Sequence, residues 1–583
     1  MTLRLPFQWL LLVLIVLGVF YPAIFGGLSP VDDVRLVNRL ANLESLDFTR
    51  LFLRSGGYYY RPVVSSSFYL SQILWDASAL IMHVENVLIH LLNSSLVFAL
   101  ARRLCRNATH LPNWLPLLIA VAFALHPITT EAVCWISGRF DLLATTFVLL
   151  SVCLLLWALS GTGTWRLLPA VAVALLGCLS KETALFFFGG AVFILYVHWR
   201  NTTGNPVAAL RRMLPGCLLW CGAALAYLLF RQAALSGRDT GVKTVFKAAA
   251  EQQGVLDWLD QLRVVVKVSG FYVKKLFVPY PLNFAIIEIS DLYLLVGFFV
   301  VLLCGWLLRR VWQGHLSAAL FWGGLFTGSA ALLVVFGRMA WTLLAERYLY
   351  MPAVFFVLGW CAWAGTCQNR RFIDVFQIAT FCFVLVGAGL TVQRTLLWGD
   401  RIALLENTVT HSPKFVPARK DLANQYLAMG RIEEGKALLR EIMLTSVAGG
   451  GYVGDDLSLA KRLGAEGRLE EAHKILVTAL EEPGKQFMAL AEEIISLNHK
   501  RLGMGLPEEA KIAVLRENVR LLEQLRQRSK DPFLDYQLAK EYLSLGEMEK
   551  AQTLFESAYL RASETSHYRE AARKLSERLR KPN

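Results

Sequence analysis

Windows of about 20 apolar residues without charge, the length that crosses a bilayer core, recur from Phe7 to about Thr391 and are absent beyond it. They predict eleven membrane-spanning helices, near 7–28, 81–103, 114–130, 141–160, 165–180, 183–199, 212–231, 290–309, 316–337, 347–366 and 372–391. Residues 1–28 share the basic start and long apolar run of a signal peptide, but the run lacks a small-residue cleavage site and continues through Tyr21 and Pro22 to Gly27. It reads as an uncleaved first span. One segment departs from the pattern: 260–279 interleaves Arg263, Lys267, Lys274 and Lys275 with apolar positions. It is expected to lie at the outer interface or dip partway in, because a full crossing would invert every later span.

From Trp398 onward the period changes to that of amphipathic helices. The stretches 422–439, 459–476 and 538–555 share a template: Leu-Ala, a glycine eight residues after the leucine, an acidic pair and a second apolar helix. This is the helix-turn-helix unit of a tetratricopeptide-like solenoid, whose concave face typically holds an extended segment of another chain. Residues 483–530 fit the template poorly, and an unrelated helical bundle is the competing reading. The chain is therefore expected to be all-α, with a polytopic transmembrane domain over 1–397 and a repeat domain over 398–583.

Composition agrees with lipid as the main solvent: 55% of the 583 residues are hydrophobic, and the mean hydropathy is +0.45. The net charge of +14 does not point to nucleic acid. Much of it lies in Arg102/Arg103/Arg106, Arg211/Arg212, Arg309/Arg310 and Arg370/Arg371, each cluster at the end of an apolar span, where cytoplasmic charge belongs. The ten cysteines show no metal-ligand spacing and mostly sit in spans, as buried free thiols do. With the arginine clusters inside, an odd number of spans puts the C-terminal domain outside. The outer ends then hold Asp32 and Asp33, Tyr58 to Arg61, His126 with Glu131, Arg139 and Asp141, Lys181 and Glu182, and Arg338 with Glu346 and Arg347. Ionisable residues at span ends on one face are costly unless they pair or work, so these imply an outward polar cavity.

Each candidate also has a bland reading. Ser29, Pro30 and Asp32 read as the start of a helix, with Asp32 closing a capping box, which leaves Asp33 unexplained. His126, before Pro127, is a capping or packing histidine or an acceptor-binding one, and Glu131 either orients Arg139 or the acceptor, or closes a polar cluster. Glu346 and Arg347 read as an ion pair at a span end, and Tyr58 to Tyr60 as an interfacial anchor.

The order of features resembles the GT-C membrane glycosyltransferases, most closely the protein O-mannosyltransferase branch that carries tetratricopeptide repeats. The resemblance rests on Asp32-Asp33 after the first span, Gly57 to Pro62, HVENVLIHLLNSSLVFALARRL (83–104) and FALHPITTEAVCWISGRFDLLA (123–144). It continues through LSKET (179–183), ERYLYMP (346–352) and QRTLLWGD (393–400). The resemblance implies an enzyme that moves one sugar from a polyprenyl phosphate to Ser or Thr hydroxyls of a protein acceptor, with inversion, on the outer face of the membrane. A first-loop acid is then the general base: Asp32 by the family pattern, Asp33 by the capping argument. A phosphodiester leaving group needs cations rather than a strong acid, which makes Arg61, Arg139, Lys181 and Arg347 candidate phosphate ligands, with Arg61 and Arg139 ranked first. His126, Glu131, Tyr60 and Glu346 would shape the acceptor side. No metal or other cofactor is expected, and the partners are the lipid-linked sugar and a protein held by the repeats. An O-antigen-ligase-type transferase and a non-enzymatic scaffold presenting the repeats are the alternatives. The compact loops and the lack of a retention tail lean toward a bacterial inner membrane, with the C-terminal domain in the periplasm.

Overall fold

The computed structural model describes residues 4–29, 32–41, 51–52, 59–235, 255–337 and 344–439, and then 457, 459–461, 463–464, 466–481, 487–529, 531–562, 566 and 568–580. The described residues are helical apart from turns and one isolated bridge, Ile286 to Leu344. The chain divides into two compact units, Met1–Asp421 and Leu422–Asn583.

Among the described residues of the first unit eight helical stretches are long and apolar enough to cross a membrane, and three shorter apolar helices, Leu115–Ala124, Thr164–Ser180 and Leu316–Leu332, accompany them. Together they match the eleven segments of the hydrophobic pattern. We number the helices α1 (Leu5–Phe20), α2 (Asp33–Ala41), α3 (Pro62–Trp75), α4 (Ala79–Cys105), α5 (Leu115–Ala124), α6 (Thr129–Cys134), α7 (Arg139–Ala158), α8 (Leu168–Ser180), α9 (Phe187–Thr203), α10 (Pro206–Ala234), α11 (Val255–Phe277), α12 (Tyr293–Trp312), α13 (Leu316–Gly337), α14 (Tyr350–Thr366) and α15 (Arg370–Gly399). The third apolar segment is shorter than the pattern implied. Helix α5 stops at Ala124, because Pro127 disfavours helical backbone at His126, and the chain restarts as α6.

Cross-helix bonds tie the bundle together separately at two ends. At one end Arg103 donates to the carbonyl of Leu156, Tyr196 to Trp312 and Asn201 to Gly314. At the other, Asp33, Arg61, Glu131, Arg139, Lys181, Lys275 and Arg347 link the opposite termini of these or neighbouring helices. The first unit reaches Ser412 at this second end, where Asn283 donates to the Ser412 hydroxyl. The first-loop acids and the exit toward the repeats therefore share one end of the bundle, as an odd number of crossings requires.

Helix α11 is the amphipathic segment. Its last turn lies at the polar end, where Lys275 meets Glu346, and its Arg263 and Lys267 pair with Asp291 just before α12 starts downward from that same end. Gly270 of α11 faces the backbone of Gly297 and Tyr293 of α12 too closely for any Cβ, a small-residue approach that lets the two helices pack without ridge side chains.

In the second unit α18 (Leu469–Glu481), α19 (Phe487–Leu502), α20 (Glu508–Arg528), α21 (Pro532–Ser544), α22 (Met548–Arg561) and α23 (Arg569–Arg580) stack around a core that includes Leu476, Ile494, Leu525, Leu538 and Phe555. Before α18 come α16 (Arg401–His411) and α17 (Val416–Ala428). The template glycines Gly430, Gly467 and Gly546 have φ of 78°, 80° and 81°, the left-handed backbone that ends a first helix and turns the chain into the second. Gly505 has the same φ of 78° and lies between α19 and α20, inside the stretch the template fitted poorly. That hairpin keeps the Leu497 to Gly505 spacing and the acidic pair Glu508 and Glu509, but Leu497 is followed by Asn498 rather than alanine.

Candidate functional site

The polar end is built from short, irregular pieces between spans, which is why it gathers side chains from so many parts of the sequence. Asp33 opens α2 and is fully buried. Its Oδ2 accepts the Ser29 backbone N–H at 3.0 Å, and its Oδ1 accepts both the N–H and the hydroxyl of Ser137, at 3.0 and 2.7 Å. The carboxylate that closes the turn at Ser29 is thus Asp33, not Asp32 as the capping argument had it. Burial raises the Asp33 carboxyl to about 6, against the pull of its bonds to Ser137 and Ser29. Asp32, one residue earlier and just outside the helix, is exposed.

The cations fall into two groups. Arg139 is almost wholly enclosed, and every donor nitrogen on it is used within the bundle: Nε on Asn86 at 3.0 Å, Nη1 on Ser71 at 2.8 Å, Nη2 on Met82 O at 3.1 Å and on Glu85 at 2.6 Å. It ties α3, α4 and α7 together, with each nitrogen already bonded inside the bundle. Arg61, Lys181 and Arg347 instead alternate with aromatic rings. Phe140 lies between Arg61 and Lys181, 4.7 and 4.6 Å from its centroid, and Tyr348 lies between Lys181 and Arg347, at 5.2 and 4.9 Å. Tyr59 covers another face of Arg61 at 4.3 Å. Stacking of this kind fixes a guanidinium plane while leaving its edge for hydrogen bonds.

Each of the three also has an acid. Arg61 makes a two-pronged bond to Glu182, at 3.0 and 2.6 Å, in the most accessible pair of the cluster, with side chains 16% and 30% exposed. Lys181 meets Asp141 Oδ1 at 2.5 Å, and Asp141 Oδ2 is buried with no protein partner. Arg347 closes on Glu131, which accepts both its backbone N–H and its Nη1.

Four sequence readings take definite form here. Glu131 orients Arg347, not Arg139. Glu346 and Arg347 are not a pair: Glu346 takes Lys275 at 2.6 Å and the Asn283 N–H at 3.1 Å. His126 is buried, with Nδ1 accepting from the Ile128 N–H and Nε2 facing the Leu276 carbonyl at 3.0 Å, the geometry of the capping reading, with the proton on Nε2. Tyr60 is buried, its hydroxyl donating to Phe52 O at 2.8 Å, whereas the ring of Tyr59 is exposed. Tyr58 and Arg338 lie outside the described residues. Glu85, Asp141, Glu182 and Lys275 belong to the layer and were not singled out as site residues. Glu85 and Asp141 stood inside the two longest motif strings, where an ionisable residue in an apolar run was the available signal.

Among the described residues no group of three or more His, Cys, Asp or Glu side chains is arranged to hold a metal ion. What the layer offers is a row of prepositioned cations, Arg61, Lys181 and Arg347, held between aromatic rings, and fixed cations of this kind can stabilise charge developing on an anionic group.

No family model matches the chain. Among curated proteins it is 30% identical over 223 residues to a protein O-mannosyl-transferase of Caenorhabditis elegans, covering 36% of this chain and 30% of that protein. It is 34% identical over 156 residues to the Drosophila melanogaster protein O-mannosyl-transferase Tmtc1, covering 26% and 18%, and 35% identical over 187 residues to Tmtc2 of the same organism, covering 29% and 19%. The chain covers less than a third of the length of each of these relatives. The sequence resemblance and these matches converge: the chain is similar to protein O-mannosyl-transferases.

Proposed function

We propose that this integral membrane protein is a protein O-glycosyltransferase that moves a single sugar from a polyprenyl phosphate to Ser or Thr of a protein acceptor, at the outer face of a bacterial inner membrane. The observation that supports this reading is the layer itself: Asp33 of the first loop bonds Ser137, three residues before Phe140, the ring that lies between Arg61 and Lys181, and Tyr348 carries the row on to Arg347 at the bundle end where Asn283 also meets Ser412.

In the proposed reaction the acceptor hydroxyl oxygen attacks the anomeric carbon from the face opposite the phosphate. Its proton passes to a carboxylate, the carbon–oxygen bond to phosphate breaks, and polyprenyl phosphate leaves with the electron pair, inverting the anomeric centre. Asp32 is the better base. It is exposed, whereas both oxygens of Asp33 already accept bonds that hold α2 against Ser137. Arg61, Lys181 and Arg347 are then the groups that balance charge on the leaving phosphate, and Arg139 acts by holding α3, α4 and α7 in place. The donor is the lipid-linked sugar, and no metal is invoked. The repeats hold the protein acceptor in the periplasm.

The test is transfer by the purified full-length protein from a short-chain polyprenyl-phosphate mannose to a Ser/Thr peptide, followed by mass spectrometry of the product. Addition of one hexose that disappears in Asp32→Asn supports the reading. Undiminished transfer in that variant ends the mechanism, and a preassembled glycan on the product would favour the ligase-type alternative.

A further inference from the structure

We propose that a crevice at the bundle end remote from the polar layer binds an anionic glycerophospholipid of the adjoining leaflet. The crevice, of about 410 Å³, lies between the C-terminal ends of α7 and α9 and the start of α13. Both α7 and α9 start at the polar layer, so it is a different site from the one above. Its floor is apolar, with Ile194 and Val197 buried, and its mouth carries Ser160, His198, Asn201 and Thr202. An apolar slot under a polar rim matches an acyl chain beneath a headgroup, and the volume lies within the range of ligand clefts, roughly 300–1,000 Å³.

Charge selects the headgroup. Arg103 donates to the carbonyl of Leu156, a lining residue, at 2.7 Å. Arg166 lies 4.4 Å over the ring of Trp157, and Arg212 lies 5.6 Å over Trp199, the neighbours in sequence of lining residues Leu156 and His198. One guanidinium is thus bonded to the backbone of a lining residue, and two more are held on rings one residue along the chain from the lining. The connecting stretches 102–113, 158–167, 198–212 and 309–315 contain no Asp or Glu to neutralise them. Basic pockets between helices at a membrane surface recruit anionic headgroups, and tryptophans at that depth mark the headgroup level.

The test uses the purified full-length protein, delipidated in detergent and titrated with dioleoyl phosphatidylglycerol, dioleoyl phosphatidylcholine or glycerol 3-phosphate, with adducts counted by native mass spectrometry. Phosphatidylglycerol is expected to be retained about fivefold or more over phosphatidylcholine, and glycerol 3-phosphate is not expected to compete. Replacing Arg103, Arg166 and Arg212 together with Gln should remove the preference, and Val197→Trp should reduce retention of both lipids by filling the floor. A photoactivatable phosphatidylglycerol, used on the unmodified protein so that no variant need fold, should label 156–160 and 194–202 above other segments. Equal retention of the two lipids, competition by glycerol 3-phosphate alone, or labelling spread evenly over the spans would each overturn the proposal.

Discussion

Glu131 and Arg347, 216 positions apart, grip each other twice: one Glu131 oxygen accepts the Arg347 backbone N–H at 3.0 Å and the other accepts its guanidinium Nη1. The bond to the backbone fixes where α14 begins, and the bond to the guanidinium aims the side chain across Tyr348 toward Lys181. One carboxylate thereby joins a structural task to the geometry of the candidate site.

That double role makes the pair asymmetric under mutation. Glu131→Gln should lower thermal stability strongly, by about 3–5 kcal/mol, because it leaves the Arg347 charge buried without a counterion. The double variant Glu131→Gln with Arg347→Met should recover part of the loss. Thermal unfolding of the two detergent-solubilised proteins measures this, and a double variant less stable than the single one would contradict it.

The two first-loop acids should separate cleanly. Asp32→Asn is expected to lower transfer by about 10²-fold or more with little change in unfolding temperature. Asp33→Asn turns a donor toward the Ser29 N–H and should destabilise the protein by about 1–3 kcal/mol, with activity falling as a consequence. The opposite ranking in paired activity and melting measurements would exchange their roles.

Asp33 also carries a pH signature. Its carboxyl rises to about 6 in the folded protein, from the ordinary 3.8, so the folded state holds the proton more tightly than the unfolded one. Stability from this group is complete below about pH 3.8 and is lost as pH rises through about 6, by roughly 3 kcal/mol in all. The wild type should lose stability relative to Asp33→Asn between pH 4 and 7. A difference that stays flat across that range would show that the carboxyl titrates normally.

Arg61 and Glu182 form the most exposed pair of the layer, and their geometry is that of a planar fork on a carboxylate. Arg61→Lys keeps the charge but loses the fork and the stack on Tyr59 and Phe140, so KM for the lipid donor should rise about tenfold or more while the protein remains folded. Steady-state kinetics at varied donor concentration checks this, and an unchanged KM would remove Arg61 from the donor side.

In the repeat unit, Gly505→Val should destabilise the α19–α20 turn by about 1–2 kcal/mol, because φ of 78° is strained for a β-branched residue. Hydrogen exchange on the intact protein should show faster exchange in 487–528 than in the wild type, and equal protection would mean the turn relaxes without cost.

The hydrophobic pattern by itself determined the eleven apolar helices and the change to repeats, because lipid admits only segments that satisfy their own backbone, and a solenoid repeats its glycine turn at fixed spacing. It also set α11 apart from the apolar spans, since four basic residues interrupt its hydrophobic face. The one hairpin it missed, around Gly505, differs only in the residue after Leu497. Tertiary structure alone decided the pairing of charges. Nothing local in the sequence distinguishes Arg139, spent on Ser71, Glu85 and Asn86, from Arg61, stacked over Tyr59 and Phe140, and adjacency in sequence wrongly joined Glu346 to Arg347. A buried ion takes whichever counterion the packed helices bring within reach, and that choice is made by residues tens to hundreds of positions away.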